Sequence, residues 1–271
     1  MNKQTVVFTD LDATLLKDKT YSFKEVQPAL MFIRSRNIPL IICSSKTKTE
    51  IEFFRKLMGN QDPFISENGG AIFIPKGFFS YTFRYDKELL GYYVIERGTP
   101  YEVLIGTLNA LKKELKVKIK GFSDMSPKEI SMLTGLPEIL ARLAKMRSYD
   151  EPFLLEGEAQ AKVDSIRTAV ERRGLRLVKG GAFYHIIGTK GKGTCVKILI
   201  DLLRPRYETL QTIALGDSQN DKEMLEVVDI PILVKRPDGT YEKDVGVHNL
   251  TYANGIGPKG WNSAVQSILK S

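Results

Sequence analysis

The amino-acid sequence contains little of what indicates a secreted or membrane protein. Its 271 residues include only two cysteines, Cys43 and Cys195, which form no CxxC pair and have no spacing typical of a metal site. This excludes a disulfide framework and makes a reducing cytoplasm the expected compartment. No apolar run approaches the ~18 residues that indicate a membrane span, and the opening segment MNKQTVVFTDLD meets charged residues too early for a signal peptide. We therefore expect a cytoplasmic globular protein without a membrane partner.

The composition is that of an ordinary folded protein with an excess of basic residues. Hydrophobic residues make up 42% and charged residues 27% of a chain long enough for one or two domains. The 40 Lys+Arg against 32 Asp+Glu give a net charge of +8, which raises nucleic acid, an anionic membrane or a phosphorylated small molecule as partners. Residues 89–188 and the rest of the chain share this excess evenly, and the densest basic run, 112–120, alternates with apolar residues. We therefore expect no nucleic-acid partner.

The hydrophobic pattern predicts strands and helices that alternate at both ends of the chain. Val6–Phe8 and Pro39–Cys43 are short apolar runs, and Glu25–Arg36 between them has apolar residues at helical spacing. This strand–helix–strand unit favours a parallel sheet with a right-handed crossover. The same alternation returns between residues 194 and 269. The fold class predicted for these parts is α/β, with a Rossmann-like parallel-sheet core.

The middle of the chain has a different character. Helices such as Tyr101–Leu115 are interspersed there with β-rich runs such as Ala182–Ile187. This mixture indicates an α+β insert between two halves of the α/β core. We place the core at residues 1–88 and 189–271 and the insert, as a single domain, at residues 89–188.

Acidic residues follow two of the predicted strands, at the sheet edge where open α/β folds bind ligands. Asp10 and Asp12 leave one strand end together, and their repulsion is costly unless a proton or a cation intervenes. Mg²⁺ suits such a site, because it binds one or two carboxylates together with phosphate oxygens and water. Asp217 follows another strand and can complete a metal site, whereas Asp221 is explained as simply by helix capping.

Two further segments carry groups that can hold phosphate. The hydroxyl of Ser44, before the helix that contains Glu50, can donate to a phosphate oxygen, although helix capping is a simpler role. Lys192 lies between glycines at another helix start, but the GxxxxGK[ST] pattern of a P-loop is incomplete. Together the four segments supply what phosphoryl transfer needs: a carboxylate nucleophile, a second acid that protonates the leaving oxygen and then activates water, a cation, and donors to the phosphoryl oxygens.

This set of residues resembles the four motifs of the haloacid dehalogenase (HAD) superfamily of phosphatases. The matching motifs, in chain order, are Asp10-x-Asp12-x-Thr14, Ser44, Lys192 and Gly216-Asp217-x-x-x-Asp221. The insert resembles the cap domain of the sugar-phosphatase branch, and narrower strings resemble the mannosyl-3-phosphoglycerate phosphatases. These strings are Ser44-Ser45-Lys46-Thr47-x-x-Glu50, Glu67-Asn68-Gly69, Arg147-x-Tyr149-x-Glu151-Pro152, Gly180-Gly181-x-Phe183-Tyr184-His185 and Gly257-Pro258-Lys259-Gly260-Trp261. The resemblance covers nearly the whole chain.

The resemblance implies a role for each acidic residue of the core motifs. Asp10 would be the nucleophile. Asp12 would be the general acid and base, with its backbone carbonyl on Mg²⁺. The carboxylates of Asp10 and Asp217 would bind the ion, and Asp221 would support the site from behind its ligands. A Mg²⁺-dependent reaction through an aspartyl-phosphate intermediate is thus the implied mechanism.

The resemblance also implies which residues bind the phosphoryl group and the rest of the substrate. Ser44 and Lys192 would hold the phosphoryl group. The residues implied in substrate binding are Lys46, Asn68, Arg147, Glu151 and His185. For the residues of the insert simpler roles stay open: a strand histidine is more often packed or hydrogen-bonded, and Arg147 with Glu151 can form a surface ion pair of little energetic value.

The implied activity is the hydrolysis of mannosyl-3-phosphoglycerate to phosphate and mannosylglycerate, a compatible solute. Glucosyl-3-phosphoglycerate, or another sugar phosphate such as a sucrose-phosphate-like compound, is the alternative substrate. A non-catalytic protein that binds a phosphate ligand or nucleic acid is a remote alternative. Two positions depart from the family pattern: Ala13 stands where the family usually has glycine, and Ala182 where it commonly has arginine. The first affects the catalytic loop, and the second either the glycosyl preference or only the surface.

Overall fold

The computed structural model describes residues 3–180, 182–243 and 245–270, and two β-sheets organise them. The described strands are β1 (Lys3–Thr9), β2 (Leu40–Cys43), β3 (Phe64–Ser66), β4 (Ala71–Pro75), β5 (Lys87–Leu89), β6 (Tyr92–Glu96), β7 (Ile119–Gly121), β8 (Asp150–Leu155), β9 (Arg176–Gly180), β10 (Phe183–Ile187), β11 (Thr209–Gly216), β12 (Ile230–Lys235) and β13 (Thr251–Ile256). The described α-helices are α1 (Gln27–Ser35), α2 (Lys48–Met58), α3 (Tyr101–Glu114), α4 (Pro127–Thr134), α5 (Glu138–Ala144), α6 (Val163–Glu171), α7 (Lys192–Leu203), α8 (Lys222–Leu225) and α9 (Gly257–Lys270).

The larger sheet contains the parallel core that the sequence predicts. Among the described residues its strand order is β13-β12-β11-β1-β2-β3-β4-β6-β5. The strands from β13 to β3 are parallel to their neighbours, and β4, β6 and β5 extend the sheet in antiparallel fashion. Helices α1, α2 and α8 connect successive parallel strands, as crossovers do in α/β folds. The predicted α/β core is confirmed.

Helices cover both faces of this sheet. Val7 and Ile42 belong to a buried cluster with residues of α1, α2 and α9. Phe8 and Ile41 face the other way, into a cluster with residues of α7 and α8. Because neither face meets water, β2 is buried along its whole length and reads as a continuous apolar run, LIIC, without alternation.

The second sheet is antiparallel and belongs to the insert. Its order is β7-β8-β10-β9. Helices α3 and α6 pack on one face, where Leu108 and Ile166 form a cluster with Ile186 of β10. Since successive strand residues point to opposite faces, Phe183 and His185 of β10 lie on the other face of the sheet. That face borders the cavity described below.

Helices α4 and α5 attach the insert to the core. Ile130 of α4 and Leu140 of α5 share a buried cluster with Phe54 of α2. The hydroxyl of Thr47, which caps α2, also donates a hydrogen bond to the carbonyl of Leu143 at 3.0 Å. Apolar packing and polar contacts therefore join the two parts beside the carboxyl edge of the parallel strands.

The start of the insert differs from the predicted one. A boundary at residue 89 falls inside the β5–β6 hairpin, and β6 pairs with β4 of the larger sheet. The apolar pattern of a hairpin does not reveal which sheet it joins, and the predicted boundary put β6 on the side of the insert. A Cβ on Gly188 would lie 3.0 Å from the backbone nitrogen of Thr99, so the two chain crossings lie side by side. We propose that the insert spans residues 97–188.

The structure adds two facts about the predicted compartment. Cys43 and Cys195 are both buried and free of disulfides. Among the described residues, no helix combines the length and apolar character needed to cross a bilayer. A reducing cytoplasm stays a prediction from the cysteine content.

Candidate active site

Asp10 lies directly past β1, at the carboxyl edge of the parallel strands. The register of β1 with β11 places Thr9 opposite Leu215, and the backbone N–H of Asp10 donates to the carbonyl of Leu215 at 2.9 Å. Asp217, two residues past Leu215, therefore reaches the same edge as Asp10. Both side chains are buried. The parallel register thus brings together two acids that are far apart in the chain.

A tryptophan that the sequence analysis assigned no role fixes the end of β1. The indole Nε1–H of Trp261 donates to Oγ1 of Thr9 at 2.9 Å, and the hydroxyl of Thr9 donates to the carbonyl oxygen of Asp10 at 2.7 Å. Trp261 lies on α9 and is fully buried. The string from Gly257 to Trp261 therefore supports the backbone of Asp10 from behind.

Lys192 is the cation in contact with these acids. Its Nζ donates to Oδ1 of Asp10 at 2.7 Å and to Oδ1 of Asp221 at 2.6 Å. The side chain is 1% exposed, at the first residue of α7. Burial by itself would lower the pKa of Lys192, but the two carboxylates raise the pKa above its usual range. Lys192 therefore keeps its positive charge inside the protein.

Asp10, Asp217 and Asp221 form a cluster that can hold a metal ion. One carboxylate oxygen from each lies within 4.8 Å of the others. Burial, with the neighbouring acids, raises the pKa of Asp10 to about 7 and that of Asp217 well above its usual range, although Lys192 opposes both shifts. The ammonium group of Lys192 balances only one of the three negative charges. All three acids can therefore be ionised together only if further positive charge is bound beside them. An oxygen-preferring divalent cation fits this donor set.

Asp221 supports the cluster through its contacts with the neighbouring backbone. Its Oδ1 accepts from Lys192, and its Oδ2 accepts from the backbone N–H groups of Asp217 at 3.1 Å and Ser218 at 3.2 Å. It therefore also caps the start of the following helical turn, as the simpler interpretation held. A Cβ on Gly216 would lie 2.4 Å from the Cβ of Asp221, so glycine is required for this close approach.

Asp12 lies apart from the buried cluster. Its side chain is 42% exposed and borders the cavity, and its Oδ1 is 3.1 Å from Nζ of Lys46. Lys46 also lies 3.4 Å from Oε1 of Glu50, and its Nζ is 5.0 Å from the ring centroid of Tyr21. Although burial opposes it, the pair of acids raises the pKa of Lys46 above its usual range. Asp12 is thus the acid with access both to solvent and to the cavity.

Ser44 follows β2 beside these residues, and it does not cap α2. Thr47 is the capping residue, in a capping box with Glu50. The Oγ of Ser44 accepts from the backbone N–H of Lys46 at 3.2 Å, and the side chain is fully buried. Ser44 therefore lies beneath the cavity surface, at the sheet edge predicted for it.

A cavity of about 850 Å³ lies between the core and the insert. We call the wall that carries Asp10, Asp12 and Asp217 the sheet side. We call the opposite wall, which includes Phe122, Arg147, Pro152, Lys179 and His185, the insert side. The sheet side is acidic, whereas the insert side presents cationic and aromatic groups. Acids alone repel a phosphate, so the cavity suits a polar ligand with a phosphate at one end when a divalent cation is held on the sheet side.

The structure places Arg147 and His185 on the insert side, with Asn68 behind them. His185 Nδ1 is 2.9 Å from Oδ1 of Asp150, an acid that no motif singled out. Asn68 is buried and donates to Oδ2 of Asp150 at 2.8 Å. Nη1 of Arg147 donates to the carbonyl of Ser45 at 3.2 Å. His185 is therefore both hydrogen-bonded, as the simpler interpretation held, and exposed to the cavity.

Glu151 is not brought to the cavity. Its Oε2 accepts from the Tyr101 hydroxyl at 2.5 Å, and its Oε1 accepts from the N–H and the hydroxyl of Ser123 at 3.0 and 2.6 Å. The side chain is 0% exposed, which contradicts both a substrate contact and a surface ion pair with Arg147. The reason is the alternation along β8: Pro152 and Asp150 face the cavity side, so Glu151 points toward α3.

Both departures from the family pattern lie at the cavity. Ala13 borders it with φ +56°, a backbone conformation that favours glycine. Ala182 is exposed and also borders the cavity, beside Gly180 and Phe183. Gly181, in the same string, lies outside the described residues.

Comparison with known proteins identifies the family of this chain. A family model described as haloacid dehalogenase-like hydrolase matches residues 7–92. The chain is 44% identical, over 97% of its length and 97% of the relative, to a glucosyl-3-phosphoglycerate/mannosyl-3-phosphoglycerate phosphatase from Methanococcoides burtonii. It is 35% identical, over 84% of its length and 90% of the relative, to a mannosyl-3-phosphoglycerate phosphatase from Pyrococcus horikoshii. The chain therefore belongs to the haloacid dehalogenase-like phosphatases.

The solved structures show the same architecture. The sucrose-phosphatase from Synechocystis, solved with sucrose and phosphate, superimposes with a TM-score of 0.63 over 99% of this chain and 98% of that chain, at 15% identity. At this identity the likeness concerns the fold alone. It confirms a Rossmann-like core with an inserted α+β cap, as the sequence predicted.

Proposed function

We propose that this phosphatase hydrolyses mannosyl-3-phosphoglycerate to mannosylglycerate and phosphate, with Mg²⁺ as its cofactor. The observation that carries the proposal is the similarity, along most of the chain, to two relatives whose names both include this substrate. The cavity supports it, because an acidic sheet side can hold a metal-bound phosphate while a cationic insert side faces the glycerate carboxylate and the sugar.

Glucosyl-3-phosphoglycerate is the second candidate substrate. The relative from Methanococcoides burtonii, which is 44% identical, is named for both the glucosyl and the mannosyl compound. Glucose and mannose differ only in the configuration at one carbon, so one cavity can accept both. A sucrose-phosphate-like substrate has less support, since the relevant likeness is one of fold at 15% identity.

In the first half of the reaction, Asp10 is the nucleophile. One of its carboxylate oxygens attacks the phosphorus, and the bond from phosphorus to the glycerate oxygen breaks. Asp12, as a carboxylic acid, gives its proton to that oxygen, which leaves as the hydroxyl of mannosylglycerate. The products of this half are an aspartyl phosphate on Asp10 and an ionised Asp12. The access of Asp12 to the cavity supports this assignment.

In the second half, Asp12 acts as a base. Its carboxylate takes a proton from a water molecule, whose oxygen attacks the phosphorus and displaces the carboxylate of Asp10. Inorganic phosphate leaves, and both acids return to their starting protonation states. Asp12 therefore gives a proton in the first half and takes one in the second. This double role requires a carboxyl group that both the leaving oxygen and a water molecule can reach.

The residues around Asp10 bind and orient the phosphoryl group. Lys192 and Ser44 are assigned to its oxygens, since Lys192 touches Asp10 and Ser44 lies at the adjacent strand end. Asp10, Asp217 and the backbone carbonyl of Asp12 are assigned to Mg²⁺. Bound there, the ion supplies positive charge to the phosphoryl oxygens. Asp221 positions Lys192 and the loop of Asp217.

The rest of the substrate is assigned to the insert side. Arg147 faces the cavity and suits the glycerate carboxylate, and His185 suits a hydroxyl. Lys46 is already paired with Asp12, so its assigned role is to hold that acid next to the substrate. Asn68 acts from behind His185 through Asp150.

A substrate panel tests the proposal. We expect phosphate release from mannosyl- and glucosyl-3-phosphoglycerate with kcat/KM well above that for sucrose 6-phosphate or mannose 6-phosphate. Each assay runs with Mg²⁺, and Asp10→Asn is the blank for contaminating phosphatases. Faster turnover of the simple sugar phosphates would contradict the proposed substrate class while leaving the phosphatase assignment intact.

A further inference from the structure

Asp150 of β8 is the meeting point of hydrogen bonds from the core and from the insert. Nδ1 of His185 lies 2.9 Å from its Oδ1 and 3.0 Å from its Oδ2. Its Oδ2 also accepts from Nδ2 of Asn68 at 2.8 Å, and Nη1 of Arg147 is 3.5 Å away. The side chain of Asp150 is fully buried among these side chains.

The groups around Asp150 favour its ionised form in spite of its burial. Burial by itself would raise its pKa, but His185, Arg147 and the Asn68 hydrogen bond bring the pKa below its usual value. An ionised carboxylate can only accept hydrogen bonds. The nitrogen of His185 that faces Asp150 therefore carries a proton.

A chain of hydrogen-bonded side-chain amides connects Asp150 with the loop that carries Asp217, and all of its donors point toward Asp150. Nδ2 of Asn220 donates to Oδ1 of Asn68 at 3.2 Å, and the Ser218 hydroxyl donates to Oδ1 of Asn220 at 2.6 Å. In both Asn220 and Asn68, the amide oxygen accepts from the side of the loop that carries Asp217, and the amide nitrogen donates toward Asp150. The orientation of Asn68 is fixed by this chain.

The second ring nitrogen of His185 has an open approach. When Nδ1 carries the proton of a neutral imidazole, Nε2 is an acceptor. A Cβ added to Gly180 would lie 3.1 Å from Nε2, so the glycine keeps this side of the ring clear. Both His185 and Gly180 border the cavity. A ligand hydroxyl there can donate to Nε2.

We propose that Asp150 is a positioning residue that holds His185 with its proton on Nδ1, so that Nε2 accepts a hydrogen bond from a hydroxyl of the substrate. Only the source of that hydroxyl, the glycosylglycerate, rests on the proposed function. The same logic operates in serine proteases, where a buried aspartate fixes the tautomer of the catalytic histidine.

An ion pair with Arg147 does not account for Asp150 equally well. The guanidinium donates through Nε to the carbonyl of Ala144 at 3.1 Å and through Nη1 to the carbonyl of Ser45 at 3.2 Å. Its distance of 3.5 Å from Asp150 is longer than either His185 contact. The short, well-defined hydrogen bonds of Asp150 are those to His185 and Asn68.

Nitrogen NMR of the histidine rings tests the tautomer directly. The chain has only two histidines, and His248 is exposed, so His248→Gln assigns the spectrum. With the rings neutral, we expect His185 to carry its proton on Nδ1. In Asp150→Asn, Asn68 holds the amide oxygen and the new NH₂ group faces Nδ1, so the proton moves to Nε2. A proton on Nε2 in the unaltered protein, or an unchanged tautomer in Asp150→Asn, would overturn the proposal.

Kinetics separate positioning from a merely structural role. In Asp150→Asn, a donor replaces the acceptor that faces the substrate hydroxyl, and KM for mannosyl-3-phosphoglycerate rises about 10- to 100-fold with kcat within a few-fold. KM for p-nitrophenyl phosphate, which has no sugar hydroxyl, changes far less. Gly180→Ala crowds Nε2 without touching Asp150, so it raises the same KM and leaves the tautomer unchanged.

The outcomes distinguish this proposal from the proposed function. Equal KM changes for both substrates, or no change in either variant, would overturn the role of Asp150. Turnover of p-nitrophenyl phosphate without turnover of glycosyl-3-phosphoglycerates by the unaltered protein would instead contradict the proposed function. The NMR experiment then still decides whether Asp150 sets the tautomer of His185.

Discussion

The sheet side and the insert side of the cavity are built by different means. On the sheet side, the functional groups follow strand ends directly, and the register of β1 with β11 brings Asp10 and Asp217 together. On the insert side, Asp150 and His185 meet across an antiparallel pair of strands whose connection the motifs do not reveal. The first arrangement concentrates negative charge, which we assign to the chemistry, and the second presents donors and acceptors, which we assign to recognition of the substrate. Changes on the sheet side should therefore lower kcat, and changes on the insert side should raise KM.

The largest expected effect is that of Asp10→Asn. The amide is nearly isosteric but is no nucleophile, so kcat falls by at least about 10³-fold. Phosphate release under saturating substrate measures it, and a thermal melt checks that the variant is folded. Normal turnover would refute the aspartyl-phosphate mechanism and the catalytic role of the sheet side.

Metal removal is expected to abolish activity and to change the pH dependence of stability. Without an ion, the raised pKa of Asp10, about 7 against 3.8, means that the folded state holds a proton that the unfolded state releases. The stability contributed by this group is present at low pH and is lost as pH rises from about 4 to about 7.

Urea unfolding at pH 5 and pH 7.5, in EDTA and in Mg²⁺, checks this expectation. The loss of stability with rising pH should be smaller in Mg²⁺ than in EDTA, and smaller in Asp10→Asn than in the unaltered protein. Mg²⁺ at 100 times its Kd adds ~2.7 kcal/mol to the unfolding free energy. Turnover in EDTA equal to that in Mg²⁺ would contradict the assigned site.

Arg147→Lys probes the insert side. The lysine keeps the charge but loses the planar donor set that binds the carbonyls of Ser45 and Ala144 and that we assign to the substrate carboxylate. We expect KM for mannosyl-3-phosphoglycerate to rise about 10-fold, with kcat changed less than KM. A fall in kcat at constant KM would place Arg147 with the chemistry and break the division between the two sides.

Glu151→Gln sharpens the division within the insert. Glu151 accepts from Tyr101 and Ser123, so in the glutamine variant the amide oxygen stays with Ser123 and the NH₂ group meets the Tyr101 hydroxyl, which must turn from donor to acceptor. Both bonds also lose the negative charge that strengthens them. The free energy of unfolding should fall by about 1–3 kcal/mol, while KM changes less than in Arg147→Lys. A denaturant titration and substrate kinetics measure the two effects. A KM increase without loss of stability would instead show that Glu151 contacts the substrate.

The smallest effect is expected for Ala13→Gly. Glycine relieves the cost of φ +56°, about 1–2 kcal/mol for a residue with a Cβ, but it also increases the entropy of the unfolded chain, by about 0.4–1 kcal/mol. The net stability change is therefore about 1 kcal/mol or less, with kcat nearly unchanged. Thermal melts and phosphate release measure it, and a large gain in kcat would show that Ala13 distorts the sheet side.

The sequence predicted most of the sheet side and less of the insert side, for a physical reason. Asp10, Asp217 and Lys192 are each recognisable from the short segment around them, since a strand end or a helix start fixes where such residues point. Glu151 and Asp150 are neighbours on one strand, and which of them faces the cavity depends on the pairing of β8 with β10. Short motifs do not encode that pairing, so the resemblance named Glu151, which the structure turns toward Tyr101 and Ser123.

Local patterns have the same limit in the fold. The parallel core was predictable because its crossover helices follow strands at short range. The predicted boundary at residue 89 put β6 with the insert, whereas β6 pairs with β4 of the larger sheet; a hairpin can extend either sheet, and its apolar pattern does not say which. Trp261, which supports Asp10 through Thr9, gave no signal beyond its place in a resembling string.

The scarcity of cysteine and of long apolar runs predicted neither a disulfide framework nor a membrane span, and the strand-end motifs predicted the α/β core, the acids of the sheet side and the lysine among them. These depend on residues close together in the chain and on the register of parallel strands. The tertiary structure decided which acid of the insert meets His185, that β6 pairs with the larger sheet, and that Ala182 borders the cavity. Those features arise from pairing between distant segments. The free energy of that pairing is shared among many contacts, so no single short motif predicts it.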